Sequence, residues 1–176
     1  MLNPRLVALI TAIFIAALFR LVPHPPNFSP IAAMALFSGA YLPRRGLAFV
    51  APLGAMLVSD AVLGFHAGMP VVYGSLALIV ALGWLLSSRR TAGRIALAAI
   101  SSSLLFYLVT NFAVWMFGDM YPKTIAGLAA CYAAALPFFQ NSLAGDLFFS
   151  MVLFGGFALA ERFSPVLRQP AGLRTV

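Results

Sequence analysis

Four ionisable side chains sit within or near the ends of long apolar runs: Arg20, Asp60, Asp146 and Glu161. A charge at membrane depth costs at least about 2.5–3.5 kcal/mol on insertion scales, so such residues face protein or water and find partners. Glu161 lies beside Arg162 near the inner end of the last run. The other three fall at one depth, in the outer half of the membrane under the topology argued below. Two arrangements meet their needs. Arg20 pairs with a carboxylate and pins helices together, or the charges line a polar cavity open to the outside. Asn111 and Trp115, four residues apart, share a helix face at the same depth. Gln140 and Asn141 add amides at the start of the last run.

His24 and His66 stand in connections that also carry prolines. Hydrogen bonding is the ordinary role of a lone loop histidine, and metal or cofactor ligation is the alternative. Cys131 is the only cysteine, which excludes an intrachain disulfide and a cysteine-based zinc cluster. In an alanine-rich segment it reads as a small apolar filler, with a thiol-ligand role as the alternative. The chain contains no G-x-S-x-G, no H-E-x-x-H and no P-loop. No catalysis and no resident metal or cofactor is expected, and the spacing gives no support to an enzyme built on Asp146 and a histidine.

The elements that must position these residues follow from composition. The chain is 62% hydrophobic and 9% charged, where a soluble domain carries roughly a quarter charged residues. Too little polar surface exists to cover a globule in water, so an all-α integral membrane protein is expected. The formal charge of +7 does not indicate nucleic acid, because the arginine clusters sit between apolar runs rather than among aromatics. That placement records topology.

A spanning helix needs about 20 apolar residues. Six runs qualify: Leu6–Val22, Ser29–Leu42, Leu47–Gly64, Val71–Ser87, Arg94–Phe117 and Asn141–Phe163. The second is short, and is either tilted within protein or extended by neighbouring residues. The first resembles a signal peptide, yet its apolar region is long and lacks a small-x-small cleavage site, so it is expected to stay as a first helix. With a cytoplasmic N-terminus, Arg5, Arg44, Arg45, Arg89, Arg90, Arg94, Arg162, Arg168 and Arg174 all fall inside, leaving only Arg20 and Lys123 towards the outside.

A seventh apolar stretch, Thr124–Phe139, ends at "PFF" with Pro137. Were it a span, the arginines of the tail would move outside, which the positive-inside rule disfavours. It is therefore expected as an extra outer-face segment between helices 5 and 6: a lid, a re-entrant piece or an interfacial helix. Residues 1–163 form one six-helix domain on this reading, with both termini cytoplasmic and a basic tail over 164–176. The outer connections then hold "PHPPNF", "FHAGMP" and "FGDMYPK", and polar functional groups gather there. Tyr41, Trp84, Trp115 and Tyr121 are expected interfacial anchors.

Ala8, Ala12 and Ala16 recur every four residues along the first run. Such a small-residue stripe lets two helix backbones approach closely, within this chain or against another membrane protein.

The alanine stripe, the segment "GAYLPRRGLAFVAPLGAMLVSDAVLGF" with its acidic Asp60, and the six-run topology resemble the substrate-binding S components of energy-coupling-factor (ECF) vitamin transporters. "PHPPNFSPIAAMALFSGAY" and "CYAAALPFFQNSLAGDLFFS" look like an uncharacterised bacterial membrane-protein family remotely related to that group. The resemblance implies a multi-pass protein of the bacterial inner membrane that binds a vitamin or other micronutrient from the outer face. It implies a partner too: a transmembrane coupling subunit with ATPases, met by Ala8, Ala12 and Ala16. The expected ligand residues are Arg20, His24, Asn27, Asp60, His66, Asn111, Trp115, Tyr121 and Asp146. From a different class, the alternative is a structural or assembly membrane protein whose buried charges only pair helices.

Overall fold

A computed structural model describes residues 3–168. All regular structure among them is helical. The helices are α1 (Pro4–Leu18), α2 (Ile31–Tyr41), α3 (Arg45–Leu63), α4 (Met69–Trp84), α5 (Ala92–Phe117), α6 (Ile125–Ser150) and α7 (Gly156–Phe163). Asn3 starts α1 by accepting the Arg5 amide at 3.0 Å, with Pro4 in the first turn where its missing N–H costs nothing. Gly64 ends α3 at φ 103°, a conformation closed to most side chains.

Four stretches are long and apolar enough to cross a membrane: Pro4–Leu21, Arg45–Leu63, Ala92–Phe117 and Ile125–Phe163. Their outward faces carry exposed Phe14, Ile15, Val50, Leu57, Leu97, Leu104, Phe148 and Leu159. An apolar surface of this extent, on helices of this length, is compatible with a helical membrane protein.

The short second run has a different role from its neighbours. α2 holds 11 residues and is roughly 16 Å long, about half the hydrocarbon thickness. Ten of its residues are buried, and it packs against α1, α3, α4, α5 and α6. It is a central post, reached through the irregular chain of Val22–Pro30. Its tightest contact is with α4. A Cβ on Gly39 would stand 2.1 Å from the Val80 carbonyl, and one on Gly83 would stand 2.4 Å from the Leu36 carbonyl. Two glycines thus let backbones meet where any side chain would hold them apart.

The expected separate outer segment is corrected. Thr124–Phe139 and Asn141–Phe163 are one helical rod, Ile125–Phe163, of 39 residues and roughly 58 Å. Pro137 lies inside α6 rather than ending it. Proline is tolerated there because neighbouring helices stabilise the rod across the missing backbone bond. The rod passes through a π-helical turn at Met151–Gly155 into α7. α5 and the first part of α6 form an antiparallel hairpin. Its tip is tied by Trp115 Nε1 donating to the Pro122 carbonyl at 2.9 Å and by Lys123 donating to the Trp115 and Gly118 carbonyls.

Arg5 and Arg90 meet at one end of the bundle, around Tyr41 at the end of α2. Arg5 pairs with Glu161, donates to the Leu167 carbonyl and lies 5.2 Å from the Phe157 ring centre. Arg90 covers the Tyr41 ring at 4.3 Å and donates to the Ala40 carbonyl at 2.8 Å. The start of α1 and the end of α7 therefore lie at the same end of the bundle. Pro165–Leu167 is a short 3-10 turn, and residues 169–176 of the expected tail, with Arg174, lie outside the described residues.

Candidate functional site: a polar cavity beneath the first loop

The buried charges separate into two groups. Arg20, in a 3-10 turn that follows α1, donates to Asp60 Oδ1 at 2.7 Å and to the Ser59 hydroxyl. Tyr73 of α4 donates to Asp60 Oδ2 at 2.7 Å. Both carboxylate oxygens are satisfied, and Asp60 is 2% exposed. This cluster joins α1, α3 and α4 and lines neither of the cavities described next.

Asp146 stands apart from it. Ser103 of α5 donates to Asp146 Oδ2 at 2.6 Å. The Ala33 amide, in the first turn of α2, is directed at the same carboxylate. α2 starts at Pro30 without a side-chain cap, so Asp146 supplies the negative charge that a helix N-terminus favours. Asp146 is 4% exposed. The two ion pairs found among the described residues are Arg5–Glu161 and Arg20–Asp60, so no cation of this chain answers Asp146 there.

A roof lies over Asp146. Asn27 takes φ 63°, a left-handed turn that asparagine tolerates better than most residues. Asn141 donates to the Pro26 carbonyl at 2.9 Å, and a Cβ on Gly145 would lie 3.1 Å from the Ser29 amide nitrogen. The Phe28 ring packs on Phe149 at 5.6 Å, and Phe19 packs on Phe149 at 4.8 Å. The prolines and these contacts hold the first loop down on α6.

Two adjoining cavities lie beneath it. One, of about 80 Å³, is lined by Asn27, Ser29, Ile31, Ala32, Phe106, Ser142 and Asp146. The other, of about 100 Å³, is lined by Asn27, Phe106, Tyr107, Thr110, Asn111, Ala135, Phe138, Phe139 and Ser142.

Three of the nine expected ligand residues, Asn27, Asn111 and Asp146, line this pair of cavities. Arg20 and Asp60 are committed to each other. Trp115 ties the hairpin tip. Tyr121 is half-buried within the same turn, and His66 is exposed in the α3–α4 connection. The His24 ring stacks on Phe19 at 5.4 Å, outside the cavity walls. Cys131 is buried on α6, 3.4 Å from the Asn111 carbonyl. Ala8, Ala12 and Ala16 are half-buried along the edge of the stripe that α1 presents to the core through Leu9, Ile13 and Ala17. The sequence reading missed Ser103, Thr110, Ser142 and Tyr73. Their signal was a hydroxyl inside an apolar run, which is cheap enough to be common and so attracts no notice.

The chain belongs to DUF6580, a family of unknown function, whose model matches residues 1–167. No curated protein and no solved structure matches it.

Proposed function

We propose that the protein is a membrane-embedded binding subunit for uptake of a small solute. The arginine-rich end would face the cytoplasm, and the first loop the outside of a bacterial inner membrane. The observation that supports this most is the cavity beneath a clamped loop, with a buried carboxylate in its wall that no cation of the described chain neutralises. Charges kept for helix pairing alone are expected to be paired, as Asp60 is. An unpaired one facing a void is better explained by a ligand.

The cavities are smaller than the roughly 300–1,000 Å³ typical of drug-sized ligands. A solute of a few heavy atoms fits beneath the loop as it stands, whereas a vitamin-sized one requires the loop to lift. The sequence carries no P-loop, so active uptake would draw its energy from a partner, such as a transmembrane coupling subunit with ATPases. The small-residue edge of Ala8, Ala12 and Ala16 is the surface we assign to that partner.

A second reading, a structural or assembly protein, draws on the Arg20–Asp60–Tyr73 cluster, which needs no solute to explain it. The two readings separate on one measurement. The chain is purified from cells in mild detergent and denatured, and the released small molecules are identified by mass spectrometry. A stoichiometric solute absent from an Asn111→Leu/Ser142→Val variant supports binding. Wild-type protein that releases nothing, and whose unfolding temperature responds to no solute in a metabolite panel, refutes it.

A further inference from the structure

We infer that the solute is a small organic cation of the ammonium or guanidinium class, seated on Asp146. The inference rests on the binding reading above and specifies its substrate.

Three features of the walls point the same way. First, Asp146 is the one acidic side chain in the walls, and no arginine, lysine or histidine lines either cavity. An anionic solute would find no cation there to offset its charge, whereas a cationic one would favour the ionised carboxylate.

Second, two of the lining hydroxyls, those of Thr110 and Ser142, have already committed their protons. Thr110 donates to the Phe106 carbonyl at 2.7 Å and Ser142 to the Phe138 carbonyl at 3.1 Å. Asn111 donates one of its two amide protons to the Tyr107 carbonyl at 2.8 Å and keeps its carbonyl oxygen as an acceptor. A hydroxyl has one proton and two lone pairs, so these groups offer acceptors to the cavity. The acceptors of Thr110, Ser142 and Asn111, with the Asp146 carboxyl, suit a donor-rich solute, and an ammonium or guanidinium group is donors throughout.

Third, Phe106 lines the Asp146 cavity, and Phe106, Tyr107, Phe138 and Phe139 line the one that adjoins it. Aromatic faces with a nearby anion are the usual chemistry for holding an organic cation out of water. The Tyr107 hydroxyl donates to the Tyr132 carbonyl at 2.7 Å, which fixes its ring.

The test compares guanidinium with urea, which has nearly the same planar shape and no charge. The purified full chain in lipid nanodiscs is dialysed against each radiolabelled compound at millimolar concentration, with methylammonium as a second cation and acetate as an anion. Saturable binding of guanidinium or methylammonium is expected, with urea and acetate weaker by about tenfold or more, the scale of a lost charge-assisted hydrogen bond. Asp146→Asn should abolish the cation preference. Thr110→Val, which removes an acceptor and leaves the carboxylate, should weaken cation binding severalfold.

Equal binding of urea and guanidinium, or cation binding that survives Asp146→Asn, overturns the inference. So does a neutral or anionic solute released from the purified protein, and in that case the binding reading itself survives. If no probe binds and nothing is released, both fall together.

Discussion

Asp60 and Asp146 are both buried carboxylates, and their removal should have opposite consequences. Asp60→Asn keeps the shape and the Tyr73 contact but strands Arg20, whose side chain is 13% exposed. Removing one partner of a buried pair costs about 3–5 kcal/mol. Arg20 sits near a helix end and has the stem to reach towards the interface, which places the cost near the lower figure. Asp146→Asn strands nothing. The amide oxygen still accepts from Ser103, and a buried charge without a counter-ion disappears. Its effect should lie within about 1 kcal/mol of zero, or stabilise.

At roughly 2–4 °C per kcal/mol for a chain of this size, the unfolding midpoint should fall by roughly 6–12 °C for Asp60→Asn and move by no more than about 4 °C for Asp146→Asn. The molecule carries its own probe. Cys131 is the only cysteine and is 2% exposed, so a fluorogenic maleimide reports unfolding in detergent with no added label site. Combining Arg20→Gln with Asp60→Asn should recover part of the loss, because no unpaired charge then remains. Equal midpoint losses for the two aspartates would refute the division of roles drawn here. So would a double variant no more stable than Asp60→Asn alone.

Two further outcomes are expected. Gly83→Val should abolish a monodisperse peak in gel filtration, since its Cβ would meet the Leu36 carbonyl, whereas Gly74→Val, which has open space around its Cβ, should elute as the parent does. In a Cys131→Ala background, Asn27→Cys should react with a membrane-impermeant maleimide added to intact cells, and Arg89→Cys should react only after lysis. The reverse pattern would overturn the orientation.

What was legible in the sequence follows from which physics acts locally. Charge placement is a bulk property of the connections, and it indicated that the chain ends at the side where it begins. The Arg5–Glu161 pair places both ends of the described chain together, in keeping with that. The same parity argument cannot tell a separate lid from an overlong final helix, because both put the tail on the same side. In sequence Pro137 marks the end of the Thr124–Phe139 stretch, as a proline ends a helix in water. Inside a bundle α5 supports the rod across the proline, through Tyr107 on the Tyr132 carbonyl and Tyr132 on the Leu108 carbonyl. The Gly39–Gly83 crossing was invisible for another reason. Its two residues lie on different helices, and neither belongs to a repeating stripe.

The site was legible only as a set of candidates, and the structure divides that set by partner. Arg20, Asp60 and Asp146 look equivalent in sequence: each is an ionisable residue at one depth in an apolar run. Desolvation imposes one condition on all of them, that the charge be answered, and sequence does not say by what. Arg20 and Asp60 answer each other, and Tyr73 uses the remaining carboxylate oxygen, so that cluster has nothing left to offer a ligand. Asp146 has hydrogen bonds but no counter-charge among the described residues, and it faces a void. An asparagine could accept the Ser103 hydrogen bond equally well. The negative charge favours the uncapped N-terminus of α2, a contribution of roughly 0.3–1 kcal/mol, and it is also the charge that a cationic solute would require.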